Sequence, residues 1–445
     1  HTYRNYHLLA LCQGMVMVLA GFEVIIPFAL DIGCPPALAA LLGALPVAGG
    51  LAQLFVPQLL ARSDGNLRGL TVLAAAAGES RGVLYGLLAL AVGTGVLSNG
   101  ATLILLAMAV VVSVAMGTVS SANLLAWHSA VLPEDDRRLV VPRLMAVSLA
   151  VGSVLLFPVA ILLDMLGDRF GLVVYAIPFA LAGLAGLGEV AVIRRLPLPG
   201  KVIVPPQALS ADAPESPEER QFLRASTLNA LGMGITPYVA IYAMAILGLS
   251  AGFAMTLGAV SMLTMVIAAA IAGGRLGRGS SAGMLRQSFG LRAAAVAIPI
   301  AALPGSPFAP LLLYAAVILA GAGFASGQLA ANERLFRLIR GPAVIRQHGR
   351  FLARTSAATA AGQLASSAVL ALGAPLGYPV FALLYGCSSA LRVLAHRAAD
   401  PDRPARMAGP TLEGPRRAAW RRSFPVAAGR RLSSYSRRRH DWPTT

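Results

Sequence analysis

Apolar residues run along this chain in long blocks, and polar residues fall almost entirely between them. Twelve blocks lie near 8–30, 37–60, 82–98, 101–126, 144–163, 171–193, 225–247, 251–273, 292–303, 308–331, 355–374 and 378–396. A helix that crosses a bilayer needs ~20 mostly apolar residues. The block at 292–303 is short before Pro304, so its helix is expected to begin near Gln287, with Arg292 in its first turns. The blocks are continuous and rich in Ala and Leu, whereas barrel strands would alternate over ~10-residue segments. Backbone groups in lipid must be paired within their own segment, which makes such runs helices. The expected fold class is an all-α polytopic membrane protein of twelve transmembrane helices.

The basic residues test that count. Of the 36 Lys and Arg residues, all but Arg169 fall before the first block, after an even-numbered block, or at the end of the last block and beyond it. One missed or invented span would break this parity. Positive residues collect on the cytoplasmic side of membrane proteins, so both termini are expected there, with the protein in the inner (plasma) membrane. The net charge of +17 is spread between apolar blocks and forms no single patch, so no nucleic-acid partner is expected.

Composition narrows the class further. Hydrophobic residues make up 57% of the chain, charged residues 12%, and the mean hydropathy is +0.71. Soluble domains carry about 25% charged residues, so a cytosolic enzyme or a disordered scaffold is excluded. Cys12, Cys34 and Cys387 are odd in number and far apart, and suggest neither a disulfide framework nor a metal site. Neither a G-x-x-x-x-G-K-[ST] nor an H-E-x-x-H motif occurs. No enzyme activity, cofactor or metal is expected.

The stretch 194–224 is polar and proline-rich and reads as a linker. It divides the chain into expected bundles at 1–193 and 225–397, followed by a basic tail at 398–445 that reads as disordered. The halves echo each other: Asn123, Pro133 and Arg137 recur 209 residues later as Asn332, Pro342 and Arg346. Repeat-built halves with a site between them are a transporter architecture. With its six-plus-six spans, long linker and basic loops, the chain resembles the major facilitator superfamily over residues 1–397, in a poorly characterised bacterial branch. Leu42-Gly43-Ala44-Leu45-Pro46 onward to Arg62, the Trp127-to-Arg143 loop and Gly248-Leu249-Ser250 carry the resemblance. It implies two six-helix pseudo-repeat bundles and a gating loop after the second span. At that loop Arg62 is present, Ala61 replaces the family's acid, and Asp64 lies one turn away; the second-half copy keeps Arg278 without an acid.

Glu23 is the one acid well inside a block. A charge at mid-membrane costs ~2.5–3.5 kcal/mol on insertion scales, so it is retained for use. Glu23 is the candidate for proton coupling. Gln13, ten residues earlier, is expected close to the same helix face. With the resemblance, Gln13, Asn229, Tyr238, Tyr242 and Gln328 become candidates for lining a substrate cavity. Asp31, Asp164, Asp168, Glu189 and Glu333 fall near span ends, where solvated or interfacial positions are expected. The four-residue glycine pairs 82/86, 273/277, 323/327 and 373/377 are expected to let helices approach closely. The expected activity is secondary transport of a small solute by alternating access, with proton-coupled efflux of a lipophilic neutral or cationic compound as its specific form. The partners are the solute, the bilayer and H+, with the protein as a monomer. The alternatives are a receptor or assembly protein that kept the fold without transport, and a membrane-embedded lipid enzyme.

Overall fold

The computed structural model describes residues 2–49, 55, 58–59, 62, 66–131, 134–197, 216–236, 238–276, 281–338 and 344–399, and among them every regular element is helical. The first expected span is a pair of helices, α1 (Thr2–Leu19) and α2 (Phe22–Asp31), followed by α3 (Pro36–Gly49). The third span begins before its expected block: α4 (Leu67–Glu79), which falls between the second and third blocks, precedes α5 (Arg81–Gly93), so Arg68 and Arg81 lie on helix. Next come α6 (Asn99–Val131), α7 (Glu134–Phe170) and α8 (Ala176–Ile193). The second half opens with α9 (Pro217–Ile235) and α10 (Val239–Ala245) on the seventh span. It continues with α11 (Ala251–Leu276), α12 (Ser281–Ala297), α13 (Ala309–Leu338), α14 (Val344–Gly373) and α15 (Tyr378–Ala398). Every expected span thus meets helix. Most of the linker and the tail from 400 onward lie outside the described residues.

Local chemistry sets the boundaries. The Ser216 hydroxyl accepts from the Glu219 amide at 3.1 Å, Pro217 starts α9, and Glu218 and Glu219 sit at the positive end of its dipole. Gly248, at φ +66°, turns the chain after α10 into the left-handed region that glycine enters freely. Ser250 then caps α11 by accepting from the Phe253 amide at 3.1 Å.

Short turns join the helices at one end of the molecule, near 32–35, 94–98, 171–175, 246–250, 302–308 and 374–377. This is the turn end; the opposite end is the arginine end. Seven helical stretches among the described residues are long and apolar enough to cross a membrane by length and composition. The remaining spans are broken, as in α4 and α5, partly outside the described residues, as after α3, or richer in polar side chains, as in α14. Leu73, Ile104, Met165, Leu184, Leu311 and Leu372 are all more than 60% exposed. Apolar surface on this scale needs a covering, which lipid supplies.

Packing repeats between the halves. In the first, α1 packs on α7 and α8, α3 and α4 on α6, and α5 on α8. In the second, α9 packs on α14 and α15, α11 and α12 on α13, and α12 on α15. Contacts across the halves run through α7 with α11, α3 with α14, and α2 with α10 and α11.

Of the glycine pairs, the first behaves as expected: a Cβ on Gly82 would lie 2.3 Å from the Gly183 nitrogen, so bare backbone lets α5 and α8 touch. Around Gly273 there is open space, and Gly277 lies outside the described residues. Gly373 faces the Val380 side chain, and Gly323 and Gly327 face an arginine. Gly82→Val is expected to destabilise the protein by ~1–3 kcal/mol through overpacking, lowering its thermal midpoint in detergent. Gly100→Val, where a Cβ meets nothing within 4 Å, is expected to leave the midpoint unchanged.

Candidate functional site

The two halves meet near the turn end, and glycines allow the meeting. The first span breaks at Ala20–Gly21, where Gly21 is extended at φ −94° and ψ −179° and caps α2. The break puts Glu23 in the first turn of α2, where free amides and the helix dipole favour a carboxylate. Glu23 is half-buried, and its stem lies against bare backbone of the other half: a Cβ on Gly258 of α11 would sit 2.7 Å from the Glu23 Cγ. Next to it the Phe22 and Tyr238 rings stack at 6.3 Å and 28°. The Tyr238 hydroxyl crosses to the first half and donates to the Gly43 carbonyl at 2.8 Å. Gln363 Nε2 of α14 donates to the same oxygen at 3.1 Å. On the other flank the Gly252 amide donates to Asp164 Oδ1 at 3.1 Å. The seam at this end is closed.

The other sequence candidates go elsewhere. Gln13 does not share the surroundings of Glu23; its Nε2 donates to Glu189 Oε1 at 3.0 Å inside the first half. Counting turns from 13 to 23 assumed one continuous helix, and the break at Ala20–Gly21 removes that register. Tyr242 is buried in its own half, donating to the Ala302 carbonyl and packing edge-on against Tyr385 at 5.8 Å. It forms no common wall with Tyr238, because Tyr238 caps α10 while Tyr242 sits within it. Gln328 Nε2 donates along its own helix to Asn332 Oδ1 at 3.4 Å. Asn229 is buried with its Nδ2 3.6 Å from the Met233 sulfur. Arg62 is helical and exposed, whereas Asp64 and Arg278 lie outside the described residues.

Two charged junctions were not expected. Glu189 is 2% exposed rather than solvated. It lies where α1, the α4–α5 break and α8 meet, together with Gln13 and the Glu79–Arg81 ion pair, whose closest approach is 3.5 Å. In the second half Arg292 and Arg392, read from sequence as a first-turn residue and a span-end residue, are 6% and 5% exposed. Helix α12 begins at Ser281, three turns before Arg292, so this guanidinium is carried deep into the bundle. At the arginine end a cavity of about 600 Å³ opens between α9 and α14, with Arg220, Arg224 and Arg354 on its walls.

No protein-family model matches the chain, and no curated protein matches it. Solved structures do. A bacterial homologue of the iron transporter ferroportin, in its inward-facing state, aligns with a TM-score of 0.63 at 16% identity, covering 90% of this chain and 98% of that one. The same homologue facing outward gives a TM-score of 0.55. The nucleoside transporter NupG gives 0.61 at 13% identity over 90% and 98% of the two chains. A D-xylose–proton symporter gives 0.62 at 14% identity over 90% and 96%. The chain has the major facilitator fold. That agrees with the fold expected from the hydropathy blocks and the arginine parity.

The seam yields a direct test. Cysteines replacing Asp164 and Gly252 are expected to cross-link under mild oxidation, since a Cβ on Gly252 would already touch the Asp164 carboxyl at 2.3 Å. Adding Gly258→Leu forces a side chain into the Glu23 stem. An overpacking cost of ~1.4 kcal/mol is expected to reduce closed, cross-linkable molecules about tenfold.

Proposed function

We propose that this protein is a secondary active transporter that moves a small solute by alternating access, with the arginine end and both termini in the cytoplasm. The observation that carries this reading is the placement of Glu23. A carboxyl inside a span stands at the seam between two similarly packed halves, opposed by a glycine and flanked by the Phe22–Tyr238 stack. A membrane-embedded acid at such an interface exchanges a proton or pairs with a cationic solute as the halves part. The closed turn end, and the better match to the inward-facing than the outward-facing ferroportin homologue, support assigning the structure to an inward-facing state.

The aromatic stack and the single carboxyl suit a lipophilic neutral or cationic solute. The iron named for the ferroportin homologue is not carried over: among the described residues no three His, Cys, Asp or Glu side chains come together to hold a metal ion. Efflux driven by protons is the specific form proposed, with Glu23 alternately protonated and ionised and the protein working as a monomer.

Purified protein in proteoliposomes, given ethidium as a lipophilic cation, tests both parts. Flux is expected to rise with an imposed pH gradient, and Glu23→Gln is expected to abolish that rise. Equal gradient-driven flux in the variant would overturn the proton role. Flux no greater than in empty liposomes would overturn the cationic-solute reading.

A further inference from the structure

Among the described residues, the second half encloses two positive charges without a negative partner. Arg292 on α12 and Arg392 on α15 are both buried, and among the described residues neither has a carboxylate within ion-pair distance. Their donors are shared out among neutral acceptors. Arg292 Nη2 donates to the Phe324 carbonyl at 3.1 Å, and its guanidinium lies 5.0 Å from the centre of the Phe324 ring. Arg392 Nη1 donates to the Arg292 carbonyl at 3.1 Å, and Nη2 to the Thr236 hydroxyl at 2.8 Å. Among the described residues the Nε of each arginine has no partner.

Glycines make room for these side chains. A Cβ on Gly323 would lie 2.8 Å from the Arg292 Cγ, one on Gly327 3.0 Å from its Nη2, and one on Gly232 3.2 Å from the Arg392 Cγ. This cradle keeps two guanidiniums inside apolar surroundings, where burying a charge is expensive unless it is paired.

One contact sets strong donors against a weak acceptor. Arg292 Nη1 points at the Met233 sulfur at 3.5 Å, and Asn229 Nδ2 points at the same sulfur at 3.6 Å. A thioether is a weak acceptor, yet it receives one charged and one neutral N–H donor. Met233 is half-buried, while Arg292 and Asn229 are buried behind it, and its unbranched side chain adapts readily. An anion in place of that sulfur would accept two hydrogen bonds, one of them charge-assisted, and would offset the second guanidinium.

We propose that Arg292 and Asn229 form a binding site for a small monoanion, entered when the Met233 side chain swings aside, with the neighbouring Arg392 adding its charge from behind Arg292. The site takes a single compact acceptor, either a halide ion or the carboxylate of a solute. It lies within the second half, apart from the Glu23 seam, and its existence does not require that the protein transport anything.

Thermal unfolding of the purified full chain in detergent tests this. Sodium chloride and sodium acetate are titrated separately, with sodium sulfate at matched ionic strength as the control. A saturable rise in the midpoint is expected with a monoanion and not with sulfate. A response to chloride alone assigns the site to halide, and a response to acetate assigns it to carboxylates. Met233→Ala frees both donors and is expected to lower the half-saturating concentration, whereas Arg392→Gln and Arg292→Lys are expected to raise it about tenfold or more. Should the arginine variants fail to fold, Met233→Ala still decides. An unchanged half-saturation in that variant, equal shifts with sulfate, or no saturable shift in the parent protein would overturn the site. Absence of ethidium flux beside an intact anion response would remove the cationic-solute reading and leave this one standing.

Discussion

Closure of the turn end depends on backbone that carries no side chain. The Gly43 carbonyl accepts from both Tyr238 and Gln363, two residues of the opposite half. A Cβ on Gly43 would lie 2.1 Å from the Tyr238 ring, so any larger residue removes the contact. Gly258 does the same for Glu23, and Gly252 for Asp164. At Gly43 and Gly252 one half approaches the other closely enough for a polar bond to form where water does not dilute it, and at Gly258 closely enough for the Glu23 stem to lie on bare backbone. These few contacts are the polar links across the seam, and the alternating-access cycle proposed above would break them together.

The sequence made the membrane class and most span positions legible, because lipid demands long apolar helices and the cytoplasmic face collects arginine. Its limits have physical causes. Hydropathy averages over a window, so it could not see that the first, third and seventh spans are broken, and the face shared by Gln13 and Glu23 vanished with the break. The positive-inside pattern treats every arginine near a span end as solvated, which hid Arg292 and Arg392. The one available signal was the glycine pair at 323 and 327, which makes room for an arginine stem rather than for a helix. Glu189 was misjudged for a related reason: it is near a span end in sequence, but α1 and the α4–α5 break cover it. At the seam, Glu23 and Tyr238 were legible as candidates, whereas Gly43 and Gly258 became meaningful only once the halves were opposed.

The buried charges divide by sign. Where α1, the α4–α5 break and α8 meet, two carboxyl groups share one guanidinium, and Gln13 adds a donor. Where α9, α12 and α15 meet, the corresponding junction of the other half, two guanidiniums face carbonyls, a hydroxyl and a sulfur. The same packing scheme therefore carries opposite electrostatic content in its two copies. A fold assembled from a repeated unit can keep its helix contacts while the chemistry inside each unit diverges.

The interruption at Ala20–Gly21 gives one stretch of chain two allegiances. Below it, α1 is fastened to α7 and α8, with Gln13 bonded to Glu189; above it, α2 lies against α10 and α11 of the other half. The ladder of amide bonds is interrupted at this junction, so the two arms are not stiffened into one rod. Tilting one lobe need not drag the entire rod along. In the alternating-access cycle proposed above, the Glu23 carboxyl, mounted on the short arm, would follow the opposite lobe through part of its swing and be left facing water when the two separate.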